Sequence, residues 1–289
     1  MTVAATHQFP AARCVTPASL ARLHVLLQPL NQAAVAVSGG VDSLTLARIA
    51  YDALGENVTM YHAVSPAVPA EATARVRNWA AQYGWRLHVI DAGEFNSADY
   101  MSNPVNRCYF CKTSLYSAIG AIAQQTSAQI LSGTNTDDLG EYRPGLEAAK
   151  QHNVRHPFVE AGISKADVRL LARELGMDDV AELPAAPCLS SRVETGIAID
   201  PNTLANIHTT EKLVGEILQP KTVRCRVRAD GIVIELDATS HTQLSDASRA
   251  ELNAKIAAIF AGDKHAKSIS FAPYRTGSAF LIPAENRTK

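Results

Sequence analysis

The stretch Val35-Ala36-Val37-Ser38-Gly39-Gly40-Val41-Asp42-Ser43-Leu44 constrains this chain most: an apolar run breaks into two glycines and resumes with helical spacing. Asn31 to Val37 is too short for a helix and rich enough in valine for a buried strand. Val41 to Leu54 carries Leu44, Leu46, Ala47, Ile49, Ala50 and Leu54 before Gly55 stops it, which is the pattern of a helix. At the junction, Gly39 and Gly40 let the backbone come close to a ligand, and the first free N–H groups of the helix point at whatever sits there. Such a turn is an anion site. Ser38 and Ser43 add hydroxyl donors. Asp42 adds a carboxylate able to hold Mg²⁺ against phosphate oxygens, since magnesium keeps several waters and takes only one or two protein carboxylates.

No Walker lysine follows the glycines, so this is not the common P-loop. Ser-Gly-Gly-x-Asp-Ser is the pyrophosphate loop of enzymes that split ATP between the α and β phosphates. An ordinary glycine-rich turn is the competing explanation, and five specified positions in a strand–helix context speak against it.

With 289 residues the chain can bury one large or two moderate cores. A formal net charge of −1 argues against a broad nucleic-acid footprint, which needs many uncompensated Lys and Arg. The expected partner is a small molecule. Met1 to Pro10 lacks the basic start and apolar core of a signal peptide, and no apolar run approaches membrane-span length, so the sequence reads as soluble and cytoplasmic. Five cysteines at irregular spacing look like reduced thiols with individual fates, Cys14 being incidental.

Thr16-Pro17 reads as a capped helix start with Leu20, Leu23, Leu26 and Leu27 as its stripe. After the loop, Val58 to Val64 is a strand, Glu71 to Tyr83 a helix ended by Gly84, and Arg86 to Ile90 a strand; this alternation predicts an α/β fold, a parallel sheet flanked by helices. Ligands sit at the carboxyl ends of such strands, which puts Ser65 beside Ser38 to Ser43. Asn103 to Lys112 leads into an amphipathic helix through about Gln125. Cys108 and Cys111 share one face of it and read as packing residues, because a closed metal site needs two further ligands. Gln129 to Ser132 is another strand, delivering Gly133-Thr134-Asn135-Thr136-Asp137-Asp138 to the same edge, where polar residues suit nucleotide and metal contacts or a capped turn. Arg143, before Pro144-Gly145, is a candidate phosphate clamp. His156-Pro157-Phe158 reads as extended, and Ser164 to Leu175 as a helix with a Ser-x-x-Asp start and a Gly176 stop.

Prolines in Leu183-Pro184-Ala185-Ala186-Pro187 mark a boundary. Expected units are 1–183, a linker and cysteine loop over 184–200, and a smaller α+β domain over 201–289 for substrate binding and oligomerisation. Cys188-Leu189-Ser190-Ser191-Arg192 places a thiol near hydroxyls and an arginine, a setting that lowers a cysteine pKa; from the residues alone a reactive and an inert thiol stand equal. Asp200-Pro201 starts a helix to about Leu218, and Thr222 to Arg228 with Gly231 to Leu236 forms a hairpin turned at Asp230-Gly231. On its first strand Arg224, Arg226 and Arg228 share a face that either an anion neutralises or water solvates; Glu235 offsets part of the charge. Cys225 points with the valines into the core. A last helix, Ala247 to Phe260, and strand, Ser268 to Ala272, complete the chain, with Tyr274 to Ser278 after them.

Together Ser38 to Ser43, Asn103 to Lys112, Gly133 to Asp138, Arg143-Pro144-Gly145, Pro187 to Arg192 and Tyr274 to Ser278 resemble the LarE family of ATP-dependent sacrificial sulfur transferases, over roughly residues 17 to 279. The pyrophosphate loop is shared with many ATP pyrophosphatases; Cys-Leu-Ser-Ser-Arg and Arg-Cys-Tyr-x-Cys-Lys narrow the likeness. The resemblance implies an adenine nucleotide alpha-hydrolase-like PP-loop fold and ATP and Mg²⁺ as cofactors in building a nickel-pincer cofactor. Ser38, Gly39, Gly40, Val41, Asp42, Ser43, Ser65, Gly133, Thr134, Asp138 and Arg143 would bind ATP and pyrophosphate, with the metal at Asp42. Cys188 becomes nucleophile and sulfur donor, supported by Ser191 and Arg192. Arg226, with Arg224 as the alternative register and Glu211 as a further carry-over, would hold the substrate phosphate. A homo-oligomer is implied. Some relatives use a cluster of three cysteines; here only Cys188 and Cys225 fall in the second half, which does not support one there. Rival readings are a tRNA thiolase with an iron–sulfur cluster on Cys108, Cys111 and a third thiol, an amide-forming synthetase, and a non-catalytic nucleotide sensor.

Overall fold

The computed structural model describes residues 17–140 and 143–281; Cys14 and the Thr16 cap lie outside the described residues. From the first helix onward the elements follow the alternation expected. They are α1 (Pro17–Leu27), β1 (Ala33–Ala36), α2 (Val41–Leu54), β2 (Val58–Ala63), α3 (Ala70–Tyr83), β3 (Leu87–Ile90), α4 (Ala98–Met101), α5 (Arg107–Ala123) and β4 (Gln129–Ser132). The strands form one fully parallel sheet in the order β3-β2-β1-β4. The chain steps outward from β1 to β3 and then crosses to the other side of β1. The crevice beyond the carboxyl ends of β1 and β4 is therefore the topological switch point, where ligands of such sheets bind.

β1 is buried on both faces, as the central strand of a helix-covered parallel sheet must be. Ala33 and Val35 pack with Leu23, Leu44 and Trp79 on one side, whereas Ala34 and Ala36 pack with Tyr116 and Ile119 of α5 on the other. Gly55 and Gly84 end α2 and α3 where the pattern stopped.

Past β4 come α6 (Pro144–Gln151), α7 (Pro157–Glu160), α8 (Lys165–Glu174) and α9 (Asp178–Ala181). Pro144 opens α6 directly after Arg143. One reading needs correction: His156-Pro157-Phe158 is not extended, since Arg155 pairs alongside Leu131 and Pro157 then starts α7. In both cases the ring fixes φ near the helical value and the missing N–H costs nothing in a first turn. Ser164 does cap α8 with a reciprocal Ser164–Asp167 box.

The smaller unit comprises α10 (Pro201–Leu218), β5 (Val223–Arg228), β6 (Gly231–Leu236), α11 (Ala238–Gln243), α12 (Asp246–Ile259) and β7 (Ile269–Pro273). Its sheet runs β5-β6-β7, antiparallel then parallel. Arg228 pairs with Gly231, so Ala229 and Asp230 form the hairpin turn, one residue earlier than expected. Cys225 and Val227 are buried, as their alternation predicted, among Ile232, Ile234, Leu204 and Phe260. This second core also takes in Ala67 and Tyr100 from the first unit. Among the described residues no helix is long and apolar enough to cross a membrane.

Candidate functional site

At the end of β1 the chain turns through Ser38-Gly39-Gly40 into α2, and Gly40 is an N-cap with no side-chain cap. The helix therefore presents its first N–H groups toward the crevice. The two serines lock the turn: Ser38 N donates to Ser43 Oγ at 3.1 Å, and that hydroxyl donates to the Gly40 carbonyl at 3.1 Å. Gly39 has φ +84°, and a Cβ there would stand 2.8 Å from the Ala72 carbonyl oxygen of α3. Only glycine fits. Arg75 donates to the Gly39 carbonyl at 2.8 Å, which fixes the turn from outside. The Val41 side chain is buried and anchors the loop, while its N–H is the first of the helix.

The loop after β4 forms the facing wall. Gly133 lies so near that a Cβ would meet the Asp42 carbonyl carbon and oxygen at 2.9 Å. Asn135 Nδ2 donates to Asp42 Oδ1 at 3.1 Å, and the Lys165 ammonium pairs with Oδ2. Asp138 accepts from Asn135 N at 3.1 Å and forms an ion pair with Arg143 at 2.8 Å, while Thr134 Oγ1 lies 3.3 Å from Ser132 Oγ. Lys165 was not singled out from sequence. It opens an unremarkable capped helix, and its partner lies 123 residues away. Ser65, on the β2 edge, accepts from Ala67 N at 3.4 Å.

Cys188 is the N-cap of a 3₁₀ turn over Leu189–Arg192, whose four residues are buried, so the segment is a seated shelf rather than an open loop. Leu189 N donates to the Ala67 carbonyl at 2.9 Å, the Tyr100 hydroxyl meets Ser190 Oγ at 2.7 Å, and Arg107 donates to the Ser190 carbonyl at 3.0 Å. Asn103 Nδ2 donates to the Glu194 and Ile197 carbonyls at 2.9 and 2.8 Å, holding the turn that leaves the shelf. Arg192 grips backbone, not thiol: one nitrogen donates to the Cys188 carbonyl at 3.1 Å and also to the Pro187 carbonyl and Ser191 Oγ. Its other donors meet both Glu211 oxygens at 2.9 Å.

Glu211 also accepts from Cys225 N at 2.9 Å, so the carboxylate grouped with phosphate binding is engaged in holding Arg192 and β5. Arg226 is 4% exposed and donates to Glu235 and to the Ser191 carbonyl, each at 3.0 Å. Arg228 takes the other Glu235 oxygen at 3.0 Å, so one buried carboxylate neutralises two of the three arginines. Arg224 donates instead to the Val223 and Ala185 carbonyls, both at 2.7 Å. Those acceptors are neutral. Burial, and then the Arg192 charge, lower its pKa.

One cavity of about 320 Å³ is lined by Ser38, Gly39 and Gly40 of the loop, by Tyr61 and His62, and by Cys111, Lys112 and Cys188; Asp42, Arg143, Arg224 and Arg226 are not among its lining residues. Burial holds the His62 pKa below its ordinary value. The ring is neutral with its proton on Nδ1, donated to the Val37 carbonyl at 2.8 Å, and Nε2 accepts from Thr73 Oγ1 at 2.9 Å.

Over 218 residues the chain is 32% identical to the pyridinium-3,5-bisthiocarboxylic acid mononucleotide synthase of Lactiplantibacillus plantarum, covering 75% of this chain and 78% of that protein. The chain belongs to the LarE family. An uncharacterized protein of Synechocystis is 37% identical over 193 residues, covering 66% of this chain and 72% of that protein. One of the subunits of the glutamine-hydrolyzing GMP synthase of Halobacterium salinarum is 24% identical over 222 residues, covering 71% of this chain and 65% of that protein. No family model matches the chain. The parallel sheet and these likenesses agree on a PP-loop α/β fold and on an enzyme.

In this LarE-family chain α5 carries two further thiols, and that of Cys111 packs against the second core. Burial raises the Cys108 and Cys111 thiols, Cys111 to about 12, and the next cause for each is the charge of Cys188. The three thiols therefore stand within electrostatic reach of one another. Cys108 and Cys111 come from the first unit, both on α5. Lys112, between them and Tyr116, has a raised pKa, first from Tyr116, and stays cationic. Among the described residues no group of three or more His, Cys, Asp or Glu is placed to hold a metal ion.

Proposed function

We propose that this LarE-family chain adenylates a carboxylate of a pyridinium biscarboxylate mononucleotide with ATP and converts it to a thiocarboxylate with the sulfur of Cys188, a step toward a nickel-pincer cofactor. The supporting observation is one cavity lined both by Ser38, Gly39 and Gly40 of the pyrophosphate loop and by Cys188. A carboxylate oxygen attacks the α-phosphorus and pyrophosphate leaves into the N–H groups at the start of α2, with Ser38 and Ser43 shaping the turn. The Cys188 thiolate then attacks the acyl carbon and AMP leaves. Removal of the Cα proton of residue 188 expels the sulfur on the product, leaving dehydroalanine in the chain.

Asp42 is the residue that would hold Mg²⁺, and its carboxylate, about a quarter exposed, suits the one-carboxylate coordination magnesium accepts. Bound there with ATP, the ion would offset phosphate charge. Lys165 supplies a cation at the same carboxylate. Arg224, whose two bonds go to neutral carbonyls, supports binding of the substrate phosphate more directly than Arg226, which is closed off by Glu235. A small-molecule substrate agrees with the near-zero charge. A cytoplasmic homo-oligomer completes the reading.

The rival that carries sulfur on an iron–sulfur cluster gains one observation, the gathering of Cys108 and Cys111 toward Cys188. Their arrangement, however, holds no metal-binding trio among the described residues. Intact mass after incubation with ATP, Mg²⁺ and the mononucleotide separates the readings. Loss of one H₂S equivalent, absent in Cys188→Ala, is expected. Thiolated product with unchanged protein mass overturns the sacrificial mechanism, and full product from Cys188→Ala supports an amide-forming synthetase.

A further inference from the structure

The sacrificial chemistry uses one thiol, yet a second lines the same cavity. Cys111 and Cys188 both line the cavity, and both pack against the core of the smaller unit. Resting on the proposed function, which leaves dehydroalanine at position 188, we infer that the Cys111 thiol adds to that residue and closes a lanthionine bridge between α5 and the shelf.

Dehydroalanine is an electrophile at Cβ and is generated at the position its parent cysteine occupied. The backbone bonds that fix position 188 do not involve the lost sulfur: Arg192 and Ser191 N bond its carbonyl at 3.1 and 3.0 Å, and Leu189 N is bonded to the Ala67 carbonyl at 2.9 Å. Cys111 sits within the 17-residue helix α5, so its backbone stays in place as well. The addition needs no outside reagent. The Cys111 sulfur forms a bond to Cβ of residue 188, the electrons of the Cα–Cβ double bond move to Cα, and the thiol proton ends on Cα.

Before reaction the thiol is held back. Its pKa is raised by burial and, next, by the charge at Cys188, while Lys112 lowers it. Departure of the Cys188 sulfur removes the second cause and leaves Lys112 in place. The attacking thiolate thus becomes easier to form when its target appears. The bridge seals the electrophile against external thiols and bars the return of sulfur to position 188, so the spent chain makes one product only.

The test follows one turnover of the full chain with ATP, Mg²⁺ and the mononucleotide. It combines intact mass, denaturing alkylation of free thiols, added 2-mercaptoethanol as a dehydroalanine trap, and peptide mapping under reducing conditions. Expected are loss of one H₂S equivalent, loss of two alkylatable thiols, no adduct with the trap, and a crosslinked pair of peptides containing positions 111 and 188 that dithiothreitol does not separate. Cys111→Ser is expected to lose the same H₂S but only one thiol, and to take up the trap. H₂S loss with one thiol lost and a trap adduct in the native chain overturns the bridge and leaves the sacrificial reading intact. A crosslink from position 188 to Cys108 overturns the assignment to Cys111. No loss of H₂S overturns both readings.

Discussion

Arg192 and Glu211 meet fork to fork, both arms at 2.9 Å, with the arginine side chain 4% and the carboxylate 12% exposed. Through this pair α10 sets the position of an arginine that in turn holds the Cys188 carbonyl. Glu211→Ala leaves a buried guanidinium without its anion, and a loss of about 3–5 kcal/mol is expected. Urea unfolding monitored by circular dichroism measures it. An unchanged midpoint would remove Glu211 from the support of the shelf.

Lys165 and Asp42 call for the opposite outcome. Their side chains are about a third and a quarter exposed, so solvent screens the pair and Lys165→Met is expected to cost only ~0–1 kcal/mol of stability. Pyrophosphate release is expected to fall about 10²-fold or more, the effect of removing one charge-stabilising donor. Equal losses in folding and in release would make Lys165 a structural residue.

Gly39→Ala places a Cβ against the Ala72 carbonyl at a backbone angle that side chains seldom adopt. A destabilisation of roughly 1–3 kcal/mol is expected from the strained backbone alone. Relief by a turn that shifts away from α3 would show as a nearly native melting temperature with pyrophosphate release lost. Native behaviour in both assays would contradict the close packing described.

His62 and His156 both have pKa values lowered by burial. In the unfolded chain they take up protons near the ordinary histidine value of about 6.5, while in the folded chain they do so only at lower pH. The unfolded state therefore binds more protons in that window. Their contribution is fully present above the unfolded value and is lost as pH falls toward the folded one. Urea midpoints are expected to drop between about pH 7.5 and about pH 5, and to drop less in His62→Gln. Equal slopes in the two proteins would show that His62 is not a source of the dependence.

Elements with local punctuation were legible in the residues. Gly55 and Gly84 stop helices, Ser164 and Asp167 cap one, and the β5 alternation buries Cys225. His156-Pro157-Phe158 reads as extended, although Pro157 at a first helical position is a starter; only the chain's later course distinguishes the two roles. The partners of Asp42, the gathering of Cys108 and Cys111 with Cys188, and the engagement of Glu211 by Arg192 depend on contacts between separate elements. Periodicity carries no information about such meetings. Arg192 illustrates the limit: an arginine near a cysteine suggests an effect on sulfur, whereas its hydrogen bonds are spent on carbonyls, a hydroxyl and a carboxylate.

Tyr100, Asn103 and Arg107 reach from the first unit to hold the shelf and the turn leaving it. A chimera spliced at the prolines before Cys188 would thus receive its sulfur donor from one parent and the seat for that donor from the other. Recombination between diverged relatives is tolerated only where the two are inherited together, which makes the proline-rich stretch a poor crossover point despite its appearance as a seam.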